Sequence, residues 1–199
     1  MEPVRLIIVA VGGQGNLLTA RVLGEAAIAG NVPVRMSEIH GMAQRGGVVE
    51  SSMVFGDAQS TIISDGEADI LLGFEPAEAL RALRRAHPKS LVITNTRPLP
   101  PFTAAIGRGV YPEMETILKL LREKTGGLIA IDATGLAQKA GNPLGTNMVL
   151  LGALIRTGLI PLSADTVRAA ISASTKKAFA EANIKAFDLG YEASENRAG

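Results

Sequence analysis

The chain has 199 residues, 47% of them hydrophobic and only 4% aromatic, which is enough for one domain with a sizeable core and suits a sheet of Ala-, Val-, Ile- and Leu-rich strands buried on both faces. Twenty Lys plus Arg against nineteen Asp plus Glu leave a formal charge of +1, too little field to gather nucleic acid or an anionic membrane surface. Zero cysteines exclude disulfides, a thiolate nucleophile and cysteine-ligated iron–sulfur clusters within this chain, and two histidines make a poor zinc set. With neither a signal-peptide pattern nor an apolar run of bilayer length, the expectation is a cytoplasmic protein.

The apolar run Val4–Val11 predicts a buried first strand, and the turn Gly12-Gly13-Gln14-Gly15 leads from it into a helix whose large apolar residues, Leu17, Leu18, Val22, Leu23, Ala27 and Ile28, fall on one face. Gly30-Asn31 closes that helix. Val32–Ser37 reads as the second strand, and Glu38–Gly47 as a ten-residue polar loop with three glycines. Val48–Phe55 alternates as a strand, and the short loop before it has no room for a helical crossover, so the sheet is expected to be mixed.

Further along, Ala68–Phe74 predicts a buried strand, Pro76–Arg85 a helix with proline in its first turn, Ser90–Asn95 a strand and Met114–Lys124 a helix. Leu128–Asp132 is a strand ending in an acid, placed either for a ligand or to cap the next helix. Helices are then predicted over Thr134–Ala140, Met148–Arg156, Ser163–Ala173 and Lys176–Tyr191. The second is apolar all round, so it is either deep core or a subunit interface, and Thr146 or Asn147 would cap it. The sum is a three-layer α/β/α domain with a mostly parallel or mixed sheet and a helical C-terminal third, one domain over 1–191 followed by a flexible tail at 192–199.

A strand, a glycine turn and a helix N-terminus together can hold an anion. The dinucleotide fingerprint is incomplete here. Gly13 and Gly15 supply its first two glycines and Glu38 a possible ribose ligand, but Leu18 stands where the third glycine permits close helix packing. His40 and Arg45, beside Glu38 and Gln44, can move a proton and grip a carboxylate or phosphate, or can simply satisfy loop carbonyls or cross a subunit boundary. His87 reads as a solvated helix end. Arg81, Arg84 and Arg85, with no aromatic residue among them, read as a charged helix face or a helix C-cap and not a nucleic-acid patch.

Two blocks in this order, Gly12-Gly13-Gln14-Gly15 and Ser37-Glu38-x-His40-Gly41-Met42-Ala43-Gln44-Arg45-Gly46-Gly47, resemble the small subunits (beta or gamma) of the 2-oxoacid:ferredoxin oxidoreductases, closest to the indolepyruvate branch. A looser likeness extends through Asn147-x-x-x-Leu151-Gly152-Ala153-Leu154. The resemblance implies a single pyruvate/ketoisovalerate oxidoreductase gamma-type domain and a part in the oxidative decarboxylation of a 2-oxoacid, with coenzyme A as co-substrate and ferredoxin as electron acceptor. Thiamine diphosphate and the iron–sulfur clusters would sit in a large (alpha) partner subunit, because this chain has no cysteine and Gly56-Asp57-Ala58 departs from a thiamine-diphosphate segment at its third position. This chain alone would bind no cofactor or metal and would be inactive. Under this resemblance, His40, Gln44 and Arg45 are the expected supporting residues of catalysis. Gly12, Gly13, Gln14, Gly15, Glu38, Gly46 and Gly47 are the expected cofactor- or substrate-binding residues. A contact between two copies of the chain is a further possibility. Set against this reading stand a self-sufficient nucleotide- or dinucleotide-binding enzyme and a non-catalytic assembly subunit.

Overall fold

The computed structural model describes residues 2–40 (His40 by its backbone), 47–100 and 110–194. Its centre is a six-stranded sheet of order β2-β3-β1-β4-β5-β6, built from β1 (Val4–Val11), β2 (Val34–His40), β3 (Val48–Phe55), β4 (Ala68–Gly73), β5 (Ala86–Asn95) and β6 (Gly127–Ile131). β1, β4, β5 and β6 pair in parallel, whereas β3 runs antiparallel to both β1 and β2, so the sheet is mixed as expected. Seven helices flank it among the described residues: α1 (Asn16–Ala29), α2 (Pro76–Ala82), α3 (Met114–Lys124), α4 (Ala133–Lys139), α5 (Thr146–Arg156), α6 (Ala164–Ser174) and α7 (Lys177–Ala193).

Strand alternation sorts these helices into two layers. Leu6, Ile8 and Ala10 of β1 point into a core shared with α1, α4, α5, α6 and α7, while Ile7 and Val9 point into a smaller core under α2 and α3. Because both faces are buried, β1 reads as a continuous apolar run and not as an alternating one. The apolar helix α5 is deep core and not an exposed interface, with every residue from Asn147 to Ile155 buried.

Several boundaries move, each for a local reason. The second strand continues through Glu38, Ile39 and His40, which pair with Ser51, Glu50 and Val49, so these three residues belong to the strand and not to the loop. Pairing with β3 overrides the polar, exposed look of an edge strand. β5 begins at Ala86, which puts His87 in a strand beside Asp69, with Nε2 to Oδ1 3.6 Å, and not at a solvated helix end. Pro88 is tolerated there because β6 pairs with β5 only from Leu91 onward and the β4 register shifts at that level. The preceding helix stops at Ala82 and tightens into a 3₁₀ turn over Leu83–Arg85.

At the close of α1 the left-handed residue is Asn31, at φ 53°, and Val32 N–H donates to Ala27 O at 2.8 Å. α5 is preceded by Gly145 without a side-chain cap, so neither Thr146 nor Asn147 serves as its cap. α7 extends to Ala193, and Ser194 is buried with its Oγ donating to Gly190 O at 2.9 Å, past the boundary expected at 191. No helix among the described residues is long and apolar enough to cross a membrane.

Arg81, Arg84 and Arg85 are each matched to a carboxylate, on Glu78, Asp65 and Glu50 respectively, which accounts for the charged run without a polyanion. Glu78 is itself buried, and its Oε2 has no partner. Burial holds its pKa above the ordinary carboxyl value, with Arg81 opposing and Glu75 reinforcing the rise. The folded chain therefore binds this proton more tightly than the unfolded chain. Glu78 contributes stability below the ordinary carboxyl value, and that contribution is lost as pH rises through the raised one. Denaturant titrations should show a larger loss of stability, as pH rises above the ordinary carboxyl value, in the parent chain than in Glu78→Gln. Identical pH dependence in the two would remove Glu78 as its source.

Candidate active-site wall at the glycine turn

The glycine turn follows β1 at the end where the parallel strands finish. α1 leaves β1 toward one face and α2 leaves β4 toward the other, so the crevice between β1 and β4 is the place where open α/β sheets receive ligands. Gln14 lies across this crevice. Its Oε1 accepts Val11 N–H at 2.8 Å and its Nε2 reaches Phe74 O at 3.5 Å. Gly13 and Gly15 take φ of 103° and 84°, conformations that glycine adopts without strain. The turn therefore passes into α1 with no side-chain cap, leaving helix N–H groups available.

Beneath the turn, Asn16 ties three segments together. Its Nδ2 donates to Ile8 O and to Val49 O, each at 3.1 Å, and its Oδ1 accepts from Ser51 Oγ. Asn16 and Ser51 are both sealed from solvent, so this amide locks the start of α1 onto β1 and β3.

Where the expected residues fall can now be stated. Gly12 N–H donates to Gly47 O at 2.8 Å, so the glycine turn meets the end of the Glu38–Gly47 segment directly. The backbone of His40, paired with Val49, ends β2 at the same edge. Gln44, Arg45 and Gly46 lie outside the described residues. Glu38 is the clear departure. It is exposed on the outermost strand, with β3 inserted between it and β1, and two strand spacings of about 4.8 Å separate it from the turn. A dinucleotide bound at the turn would look for its ribose acid on the strand next to β1, and that strand is β3.

Leu18 walls a cavity of about 340 Å³ beside the turn, closed on its other sides by Asn142, Asn147, Lys176, Phe179 and Asn183. None of the last five was legible as a site residue. Their signal was an asparagine at the head of an all-apolar helix, and the fold alone brings it to Gly15, whose carbonyl accepts from Asn147 Nδ2 at 3.4 Å. Asp132, which the sequence left between ligand and cap, is a cap. Its Oδ1 accepts Gly135 N–H at 2.9 Å and its Oδ2 pairs with Arg97, which holds its pKa below the ordinary value.

On the other side of the crevice, Glu75 follows β4 and is fully buried. Its carboxylate receives Tyr111 Oη–H, Leu99 N–H at 3.2 Å and Glu78 N–H at 3.0 Å. Burial and this neighbouring charge push the Tyr111 hydroxyl far above its ordinary pKa, so it remains a donor. Glu75 thereby fixes the chain before and after the segment 101–109. Among the described residues no cluster of metal ligands exists, and the chain lacks cysteine.

The sheet, its crevice and the glycine turn define a three-layer α/β domain with a ligand-receiving edge, and comparison with known proteins assigns its family. Residues 5–193 match the pyruvate ferredoxin/flavodoxin oxidoreductase family, and the chain belongs to that family. It is 42% identical to the indolepyruvate oxidoreductase subunit IorB of Pyrococcus horikoshii, over 98% of each chain. The same fold is present in pyruvate oxidoreductase subunit PORC from Thermotoga maritima, with a TM-score of 0.71 at 21% identity, covering 96% of this chain and 97% of that one. It also occurs within 2-oxoglutarate:ferredoxin oxidoreductase from Magnetococcus marinus, solved with 2-oxoglutarate, coenzyme A and succinyl-CoA bound. There the TM-score is 0.73 at 16% identity, covering 98% of this chain and 31% of that longer one.

Proposed function

We propose that this chain is the small subunit of an indolepyruvate-type 2-oxoacid:ferredoxin oxidoreductase, working in the cytoplasm with a larger subunit. Its glycine turn and Glu38–Gly47 segment form one wall of an active site that the larger subunit completes. The observation that carries the reading is the Gly12 to Gly47 hydrogen bond, which joins the two blocks of the family likeness at the ligand-receiving edge of the sheet.

The reaction oxidises a 2-oxoacid, releases carbon dioxide, joins the remaining acyl group to the coenzyme A thiol and passes two electrons to ferredoxin. Neither thiamine diphosphate nor an iron–sulfur cluster fits the residues of this chain, since it has no cysteine and no Gly-Asp-Gly segment; both groups belong to the larger subunit. The share of this chain is binding and positioning. The unpaired N–H groups at the start of α1 face the site, Arg45 binds an anionic group of the 2-oxoacid or of coenzyme A, and His40 and Gln44 orient substrate or support the segment.

Co-production with the larger subunit tests this, with a thiamine-dependent complex that oxidises arylpyruvates as the expected result. In that complex Arg45→Ala should raise one of the two Michaelis constants roughly 30-fold, the worth of a charge-assisted hydrogen bond of about 2 kcal/mol. Unchanged turnover and unchanged constants for both substrates would remove Arg45 from this role, and failure to associate with any larger subunit would undercut the reading as a whole.

A further inference from the structure

The core face of α1 begins on an amide where the helical period calls for an apolar side chain. Asn16, Ala20, Leu23 and Ala27 recur at helical spacing and are all buried, and only the first of them is polar. A buried polar side chain that breaks the pattern of its element is a cost that packing alone does not require, and such breaks gather at functional sites.

What this amide holds is the meeting point of the glycine turn and the Glu38–Gly47 segment. Asn16 is the first residue of α1 after the turn, and one Nδ2 proton goes back to Ile8 O, ahead of the turn, so the two ends of the turn are tied to each other. The other goes to Val49 O, two residues beyond Gly47. Val49 pairs with Ala10 of β1 on one side and with His40 of β2 on the other, so it carries both the end of β2 and the start of β3. One side chain thus frames the Gly12 to Gly47 hydrogen bond from all four directions of the chain. That bond alone sets a distance between two backbones and leaves their angle free. Ser51 Oγ–H completes the amide at Oδ1 and touches neither block, so its part is to turn Asn16 with its donors toward Ile8 and Val49.

We propose that Asn16 is a positioning residue for the active-site wall. Its two donated hydrogen bonds set the angle between the glycine turn and the Gly47 end of the neighbouring segment, and hence the direction of the N–H groups at the start of α1. The assignment rests on the reading that these two blocks form one wall of a shared active site.

Two variants separate positioning from stability. Asn16→Leu combined with Ser51→Ala removes the side-chain partners of all three hydrogen bonds and fills the space of amide and hydroxyl with carbon, while Ile8 and Val49 stay paired in the β1–β3 ladder. Its melting temperature should lie within about 2 °C of the parent, because replacing both partners by apolar groups is nearly neutral. Ser51→Ala alone keeps both donations of Asn16 but leaves its buried Oδ1 unpaired, and should melt roughly 4–8 °C lower while retaining turnover. In the complex with the larger subunit the double variant should lose on the order of 100-fold in kcat, and as much in kcat/KM for the 2-oxoacid, the mark of lost alignment at unchanged substrate binding. Full turnover in the double variant overturns the proposal, and so does activity that follows melting temperature across the two variants. In the free full-length chain, the Gly12 amide proton should exchange about tenfold faster in the double variant than in Ser51→Ala. Equal exchange overturns the proposal even where the parent complex turns over no 2-oxoacid, an outcome that by itself defeats only the functional reading.

Discussion

Gly152→Ala should strongly destabilise the folded chain, and Gly190→Ala should do the same. α5 and α7 cross with their backbones in contact, and these two glycines are the contact. A methyl group at 152 would overlap Phe187 O and lie 2.8 Å from Tyr191 N, while one at 190 would overlap Val149 O and lie 2.8 Å from Val149 Cα. Backbone atoms on the facing helix cannot rotate aside as a side chain can, so the helices must separate. Separation would open the core around Val149, Ala153, Ala186 and Phe187, all fully buried. The cost exceeds ordinary overpacking and should reach about 4 kcal/mol. In a chain of this length that lowers the melting temperature by roughly 8–16 °C. Gly141→Ala is the matched control. Its φ is 84° but nothing lies within 4 Å of the added carbon, so it should lose only the left-handed strain of about 1–2 kcal/mol. A Gly152→Ala chain melting together with Gly141→Ala would show that the two helices are not in backbone contact.

The same two glycines mark the boundary of what was legible in the sequence. Hydrophobic period and turn chemistry place β1, α1, β3, β4, α3 and the helical C-terminal third, because those signals are local. The mixed sheet was also legible, since a segment of ten residues cannot hold a crossover helix. Local signals do not carry the end of β2. Glu38, Ile39 and His40 look like loop because an edge strand with exposed side chains lacks alternation, and only the partner residues Ser51, Glu50 and Val49 make them strand. Nor does local sequence predict that Gly152 faces Gly190, or that Asn147 sits over Gly15, since each pair is joined by the tertiary fold. The glycine turn was legible by residue type, whereas the polar cavity next to it was not.

Gly15→Ala carries the other large effect, on activity more than on folding. At φ 84° an alanine is strained by about 1–2 kcal/mol, and its Cβ would lie 2.7 Å from Asn147 Nδ2 and 3.0 Å from Asn147 Cγ. Asn147 is buried and can yield only by leaving its hydrogen bond to Gly15 O and closing into the cavity. The variant should therefore fold with stability reduced by about 2–3 kcal/mol and lose on the order of 100-fold in kcat/KM in the assembled enzyme, as expected for a ligand wall displaced by about 1 Å. Gly13→Ala, at φ 103° with nothing within 4 Å of the added carbon, should share the strain without the collision. A double-mutant cycle isolates the collision: Asn147→Ala combined with Gly15→Ala should be less destabilised than the sum of the two single variants by about 1 kcal/mol, because the clash partner is gone. Strict additivity in stability would mean that Gly15 is required for its backbone angle alone and that Asn147 does not bear on the turn.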